Sequence, residues 1–146
     1  MADLPQSLQQ FLDDLAMFPD RADRIQALIS IAERFREVSP EVAKRPFDES
    51  HRVPGCESEV FIWGLRRRDG TIDLQFAVEN PQGISAKALA VILQDTLNGL
   101  APAEIDKVPE DVVYTIFGRE LSMGKSMGLM HMVRMVKSIA ANINNS

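Results

Sequence analysis

Cys56 and Trp63 are the only cysteine and the only tryptophan of the chain. Both fall within one stretch, Arg52-Val53-Pro54-Gly55-Cys56-Glu57-Ser58-Glu59-Val60-Phe61-Ile62-Trp63. A cysteine does chemistry as its thiolate, a nucleophile that needs access and electrostatic help. Pro54 fixes φ and Gly55 permits positive φ, so the pair predicts a sharp bend directly before Cys56. The apolar run from Val60 then predicts a strand. A thiol at the mouth of a strand can be presented to a partner, whereas one in mid-strand would be walled in. The competing reading is a small buried hydrophobe, since free cysteine is among the most buried residue types. Arg52 is a candidate helper, because a permanent cation nearby lowers a thiol pKa; otherwise it is a surface or partner-facing arginine. His51, five residues before the thiol, is either a base for it or a polar residue on an edge strand. His131 reads as a surface histidine on a charged helix face.

One cysteine excludes an internal disulfide and a cysteine-built zinc or iron–sulfur site within one chain, so no metal site is expected. A free thiol without a signal peptide fits a reducing compartment, and cytoplasmic localisation is expected. The 146 residues carry a net charge of −5, with 45% hydrophobic and 25% charged residues. That balance fits one globular domain over residues 1–146 and argues against a nucleic-acid binder. No apolar run has the length of a membrane span. The basic run Arg66-Arg67-Arg68 leads into Asp69-Gly70 and reads as a solvated hairpin end, with a docking patch for an acidic partner as the alternative.

The elements that must hold this stretch follow from periodicity. Leu8, Phe11, Leu12 and Leu15 predict an amphipathic helix over 6–17. Asp20 is a natural N-cap for a second helix, predicted to run to about Val38 with Ile25, Leu28, Ile29, Ala32 and Phe35 on one stripe. Residues 40–55 form a proline-punctuated connection with an edge strand around 51–53. Residues 58–66 and 71–78 read as two antiparallel strands joined at Asp69-Gly70, and alternation in the second implies one covered face and one wetter face. A helix follows Gly83 and stops at Asn98-Gly99. Pro102 and Pro109 open two short helices, 102–107 and 109–117. Ser122 caps a last helix whose core stripe is Leu129, Met132, Val136, Ile139 and Ile143. Five of the seven methionines lie between Met123 and Met135; Met123, Met127 and Met130 sit off that stripe, where flexible thioethers suit a partner contact. Gly124 and Gly128 near a helix start imply close backbone approach, and residues 142–146 read as a fraying polar tail. The expected fold is α+β in two layers, a three-stranded antiparallel sheet covered on one face by helices.

The segment Val53-Pro54-Gly55-Cys56-Glu57-Ser58-Glu59-Val60-Phe61-Ile62-Trp63 resembles the signature of the SufE-type sulfur acceptors, roughly V-x-G-C-[QE]-S-[QE]-V-W. A second stretch, Leu121-Ser122-Met123-Gly124-Lys125-Ser126-Met127-Gly128-Leu129, is similar to that family's L-[ST]-P-x-R-x-x-G-L. The likeness covers nearly the whole chain in order and length. It implies that Cys56 accepts sulfur as a persulfide from a partner cysteine desulfurase of the SufS type, stimulates that enzyme and passes sulfur toward a downstream iron–sulfur scaffold. Pyridoxal phosphate then belongs to the partner, and no cofactor is expected on this chain. Arg52, Gly55, Glu57, Ser58, Lys125 and Gly128 become the candidates for loop and partner contacts, with the cysteine loop approaching Gly124 and Gly128. The chain is expected as a monomer or weak homodimer. Two departures stand out: Met123 replaces a proline, and Lys125 replaces an arginine, keeping the charge but losing the two-pronged grip on a carboxylate. Three rival readings remain at this point. A cluster scaffold is disfavoured by a single cysteine. A thiol hydrolase or transferase would pair Cys56 with His51 or His131. An interaction module modulating a desulfurase would use Cys56 structurally.

Overall fold

The Asp69-Gly70 turn folds the chain back on itself, with Gly70 at φ +84° and the Arg67 N–H donating to Thr71 O at 2.8 Å. The computed structural model describes residues 4–119 and 121–144. On either side of the turn lie β1, Val60–Arg66, and β2, Ile72–Val78, paired antiparallel with Ile62 opposite Phe76 and Gly64 opposite Leu74. Among the described residues two α-helices precede the hairpin, α1 (Gln6–Ala16) and α2 (Arg21–Ala32). Four follow it: α3 (Ile84–Leu97), α4 (Pro102–Ile105), α5 (Val112–Phe117) and α6 (Met123–Asn144). Val60, Ile62, Leu74, Phe76 and Val78 face the main core, where α6 packs on β1 and α3 on β2. Leu8, Leu12 and Leu15 bring α1 into the same core, and Asp20 caps α2 by accepting the Ala22 N–H at 3.1 Å.

The class is α+β, but the sheet among the described residues has two strands and not three. The segment expected as an edge strand begins as a 3₁₀ turn, Glu49–His51. Only Arg52 bridges to Phe61, and the Val53 N–H donates to Val60 O at 2.8 Å. Pro54 has no N–H to extend the ladder, and Gly55 at φ +66° turns the chain away.

Helices cover one face of the sheet, as expected, but the other face is not the wetter one that the alternation implied. Phe61, Trp63 and Ala77 form a second cluster with Val38, joined by Val42, Ala43 and Phe47 from the connection. The Phe47 ring stands edge-on to Trp63, with centroids 5.0 Å apart. Arg45 lies over the Phe47 ring at 5.0 Å and pairs with Glu37 and Glu79, pinning the segment down. This covering explains why α2 ends at Ala32, short of the predicted Val38. Val38 is buried, its N–H donates to Phe76 O at 2.8 Å, and the Ser39 N–H reaches Gln75 Oε1 at 2.9 Å. Further helical turns would carry Val38 away from both the apolar face and the open edge of β2.

The short helices are shorter than predicted, and α5 starts at Val112, not at residue 109. The expected tail is helical through Asn144, because Ala140 is buried and Ile143 packs against the core; Asn145 and Ser146 lie outside the described residues. Among the described residues no helix is long and apolar enough to cross a membrane.

Candidate functional site

The Cys56 loop is held at both ends. Before it, Val53 is fully buried; after it, Glu59 takes a positive φ of 52° while its N–H donates to Cys56 O at 3.2 Å. The turn leaves Cys56 half-buried at the entrance of β1. The backbone N–H groups of Ser58 and Val60 are near enough to the sulfur to favour its anion. The other wall is α6. A Cβ on Gly128 would lie 3.4 Å from both Cα and Sγ of Cys56, and one on Gly124 would lie 3.3 Å from Glu57 Oε1. Both glycines therefore leave room for the loop, as their position near the helix start implies.

A cleft of about 290 Å³ opens beside the thiol, lined among others by Cys56, Glu57, Ser58, Ile84, Lys125 and Gly128. The sequence candidates thus gather at one place, with two outside the cleft wall. Arg52 lies behind the loop, 3.6 Å from Glu49 and 3.9 Å from Glu59, close enough for its charge to act on the thiol. Gly55 lies beside the His131 ring, where a Cβ would come within 3.2 Å of Cε1. Lys125 is exposed and has no ion-pair partner among the described residues. A larger cleft, about 640 Å³, opens between α2, the start of α3 and α5. It shares Ile84 and Ser85 with the thiol cleft but contains no cysteine or histidine, so volume does not select the reactive site.

Burial pushes the Cys56 thiol above its usual pKa. The Ser58 and Val60 N–H groups and the Arg52 charge oppose this, while the Glu57 carboxylate adds to it. The thiol of the free protein therefore rests neutral at neutral pH, yet the donors a thiolate would use are already in place. A raised folded-state pKa means that the folded chain holds this proton more tightly than the unfolded chain. Its contribution to stability is present below the unfolded thiol pKa and is lost as pH rises through the folded value. Chemical denaturation midpoints are accordingly expected to fall on the alkaline side of the usual thiol range, and to fall less in Cys56→Ser. Parallel alkaline profiles for the two proteins would contradict this placement of the thiol.

Neither histidine is arranged as its base. His51 Nδ1 donates to Ile62 O at 3.0 Å and its ring stacks on Trp63. His131 Nδ1 donates to Pro54 O at 2.7 Å. The reading of His131 as a plain surface residue is thus corrected: it touches the cysteine loop. Its spacing of seven from Gly124 and three from Gly128 places it on the loop-facing side of α6, and that was the available signal. Of the methionines off the core stripe, Met123 and Met127 are exposed on the same end of α6, and Met130 is half-buried. Among the described residues no group of three or more His, Cys, Asp or Glu side chains could hold a metal ion.

A family model described as "SufE: Fe-S metabolism associated domain" matches residues 9–140. An uncharacterised SufE-like protein of Rhizobium meliloti (strain 1021) is 29% identical over 142 residues, covering 92% of this chain and 94% of that protein. The solution structure of a hypothetical protein from Thermus thermophilus is similar with a TM-score of 0.74 over 99% of this chain and 100% of that one. At 22% identity that is a likeness of fold.

Proposed function

This chain belongs to the SufE family, whose domain is associated with iron–sulfur metabolism, and from that premise we propose that Cys56 is a sulfur acceptor. Its donor is a persulfide on the active-site cysteine of a SufS-type cysteine desulfurase. The Cys56 thiolate attacks the terminal sulfur of that persulfide. A new S–S bond forms at Cys56, the donor's S–S bond breaks, and the donor cysteine leaves as a thiolate. No net oxidation occurs and no metal takes part. Removing sulfur in this way frees the desulfurase for another turnover, so the protein stimulates its partner and hands sulfur to an iron–sulfur scaffold. Pyridoxal phosphate stays with the desulfurase. Residues 1–146 act together as one acceptor domain in a reducing compartment such as the cytoplasm.

The observation that carries this reading is the setting of the thiol: the only cysteine sits on a preformed turn, walled on one side by Gly128 and with an open cleft beside it. Thiol–disulfide exchange requires a thiolate, an accessible path and a leaving thiolate. The Ser58 and Val60 N–H donors favour the anion against the burial that opposes it. Lys125 on the cleft rim supplies a point charge for a partner carboxylate, and Met123 and Met127 an adaptable apolar contact.

The test is intact mass after incubation with a cysteine desulfurase, pyridoxal phosphate and L-cysteine. A gain of one sulfur atom, reversed by a thiol reductant, is expected. No gain with several folded, active desulfurases would sink the proposal. Alkylation of Cys56 is expected to be slow in the free protein and faster with the desulfurase present; equal rates would mean that docking does not expose the thiol.

A further inference from the structure

Three contacts lay the cysteine loop along one face of α6. Glu57 lies over Gly124, Cys56 over Gly128 and Gly55 over His131, where a Cβ on Gly55 would be 3.1 Å from Nδ1. The first two contacts are only close packing. The third carries a hydrogen bond, His131 Nδ1 to Pro54 O at 2.7 Å. Among the described residues it is the one side-chain hydrogen bond that ties residues 54–58 to α6. A carbonyl oxygen only accepts, so Nδ1 carries the proton. Pro54 and Gly55 form the bend that the loop must change if Cys56 is to swing out, and Gly55 already holds a φ of +66° that the His131 ring covers.

We infer that His131 is a positioning residue that latches the Cys56 loop in its closed state through the Pro54 carbonyl. The inference rests on the sulfur-acceptor reading for its purpose, not for its geometry. With the latch made, Gly128 shields one side of the sulfur; with it lost, the loop opens more often and the thiol is reached more often. His131 touches neither the sulfur nor the reacting atoms, and it acts only by setting where the loop sits.

The measurement is the rate of Cys56 alkylation by iodoacetamide in the full chain without any desulfurase. His131→Ala is expected to react roughly fivefold faster, the population change that follows from losing one ordinary hydrogen bond. His131→Asn places an N–H donor near the position of Nδ1 and is expected to restore a rate close to that of the parent. Arg134→Gln, which breaks the α6 pair with Glu110 but leaves the loop untouched, is expected to react at the parental rate. An unchanged rate in His131→Ala overturns the latch, as does an equal acceleration in Arg134→Gln. Should His131→Ala not fold, the imidazole ¹⁵N shifts of the parent decide: a protonated Nδ1 supports the latch and an unprotonated Nδ1 overturns it. Because no desulfurase is present, failure here leaves the sulfur-acceptor reading standing. Absence of sulfur uptake would remove that reading and leave the latch.

Discussion

Cys56→Ser is expected to fold like the parent and to take up no sulfur, so that desulfurase turnover in its presence falls to the rate of the enzyme alone. The serine hydroxyl is no larger than the thiol it replaces and fits the half-buried space beside Gly128. The loop therefore keeps its shape. What is lost is the nucleophile, since a hydroxyl does not ionise in the working pH range and forms no persulfide. Intact mass and alanine release from L-cysteine read the two effects separately. A variant that gains no sulfur yet stimulates the desulfurase fully would give Cys56 a structural part and make the protein an interaction module. A variant that still gains sulfur would place the acceptor off this chain's only cysteine, which would end the proposal.

Gly64→Val is expected to be the most damaging single change to the fold. Gly64 lies in the middle of β1 on the face covered by α6, and a Cβ there would sit 2.2 Å from Cγ2 of Ile139 and 3.6 Å from Ile143 Cδ1. Ile139 is β-branched and cannot rotate its methyl away freely. The helix must move or the strand must bend, and overpacking of this kind costs about 3 kcal/mol. A loss of that size lowers the melting temperature by roughly 10 °C in a chain of this length. Gly64→Ala should fall in the same direction by less, and adding Ile139→Ala should recover part of the loss, the coupling expected of two groups that share one space. A shift of only a degree or two in Gly64→Val would mean that α6 does not lie this close to β1. The consequence reaches the thiol, because the same helix carries Gly128 and His131. The missing side chain at position 64 lets α6 approach the strand that Cys56 opens.

Local chemistry decided much of this protein. The three- and four-residue spacing of Leu8, Leu12 and Leu15 gave α1, and Asp20 marked the start of α2. Asp69-Gly70 gave the hairpin, and Pro54-Gly55-Cys56 gave a thiol on a bend, because turn geometry depends on neighbours in the chain. The glycines at 124 and 128 even announced that something would pack there. Long-range contacts decided the rest. α2 ends at Ala32 because Val38 belongs on the far face of the sheet, under Phe61 and Trp63. Nothing local distinguishes a helical Val38 from one that donates to Phe76 O, since the partner lies 38 residues away. The third strand shrank to one bridge because Pro54 and Gly55 serve the cysteine loop before they can serve the sheet. His131 looked like any polar residue on a helix until folding brought the Pro54 carbonyl to its ring. The sequence by itself determined which residue can serve as the nucleophile, through a turn and a single thiol. Only the tertiary structure decided how that thiol is walled, held and charged, because burial and hydrogen-bond geometry are properties of what other segments bring near it.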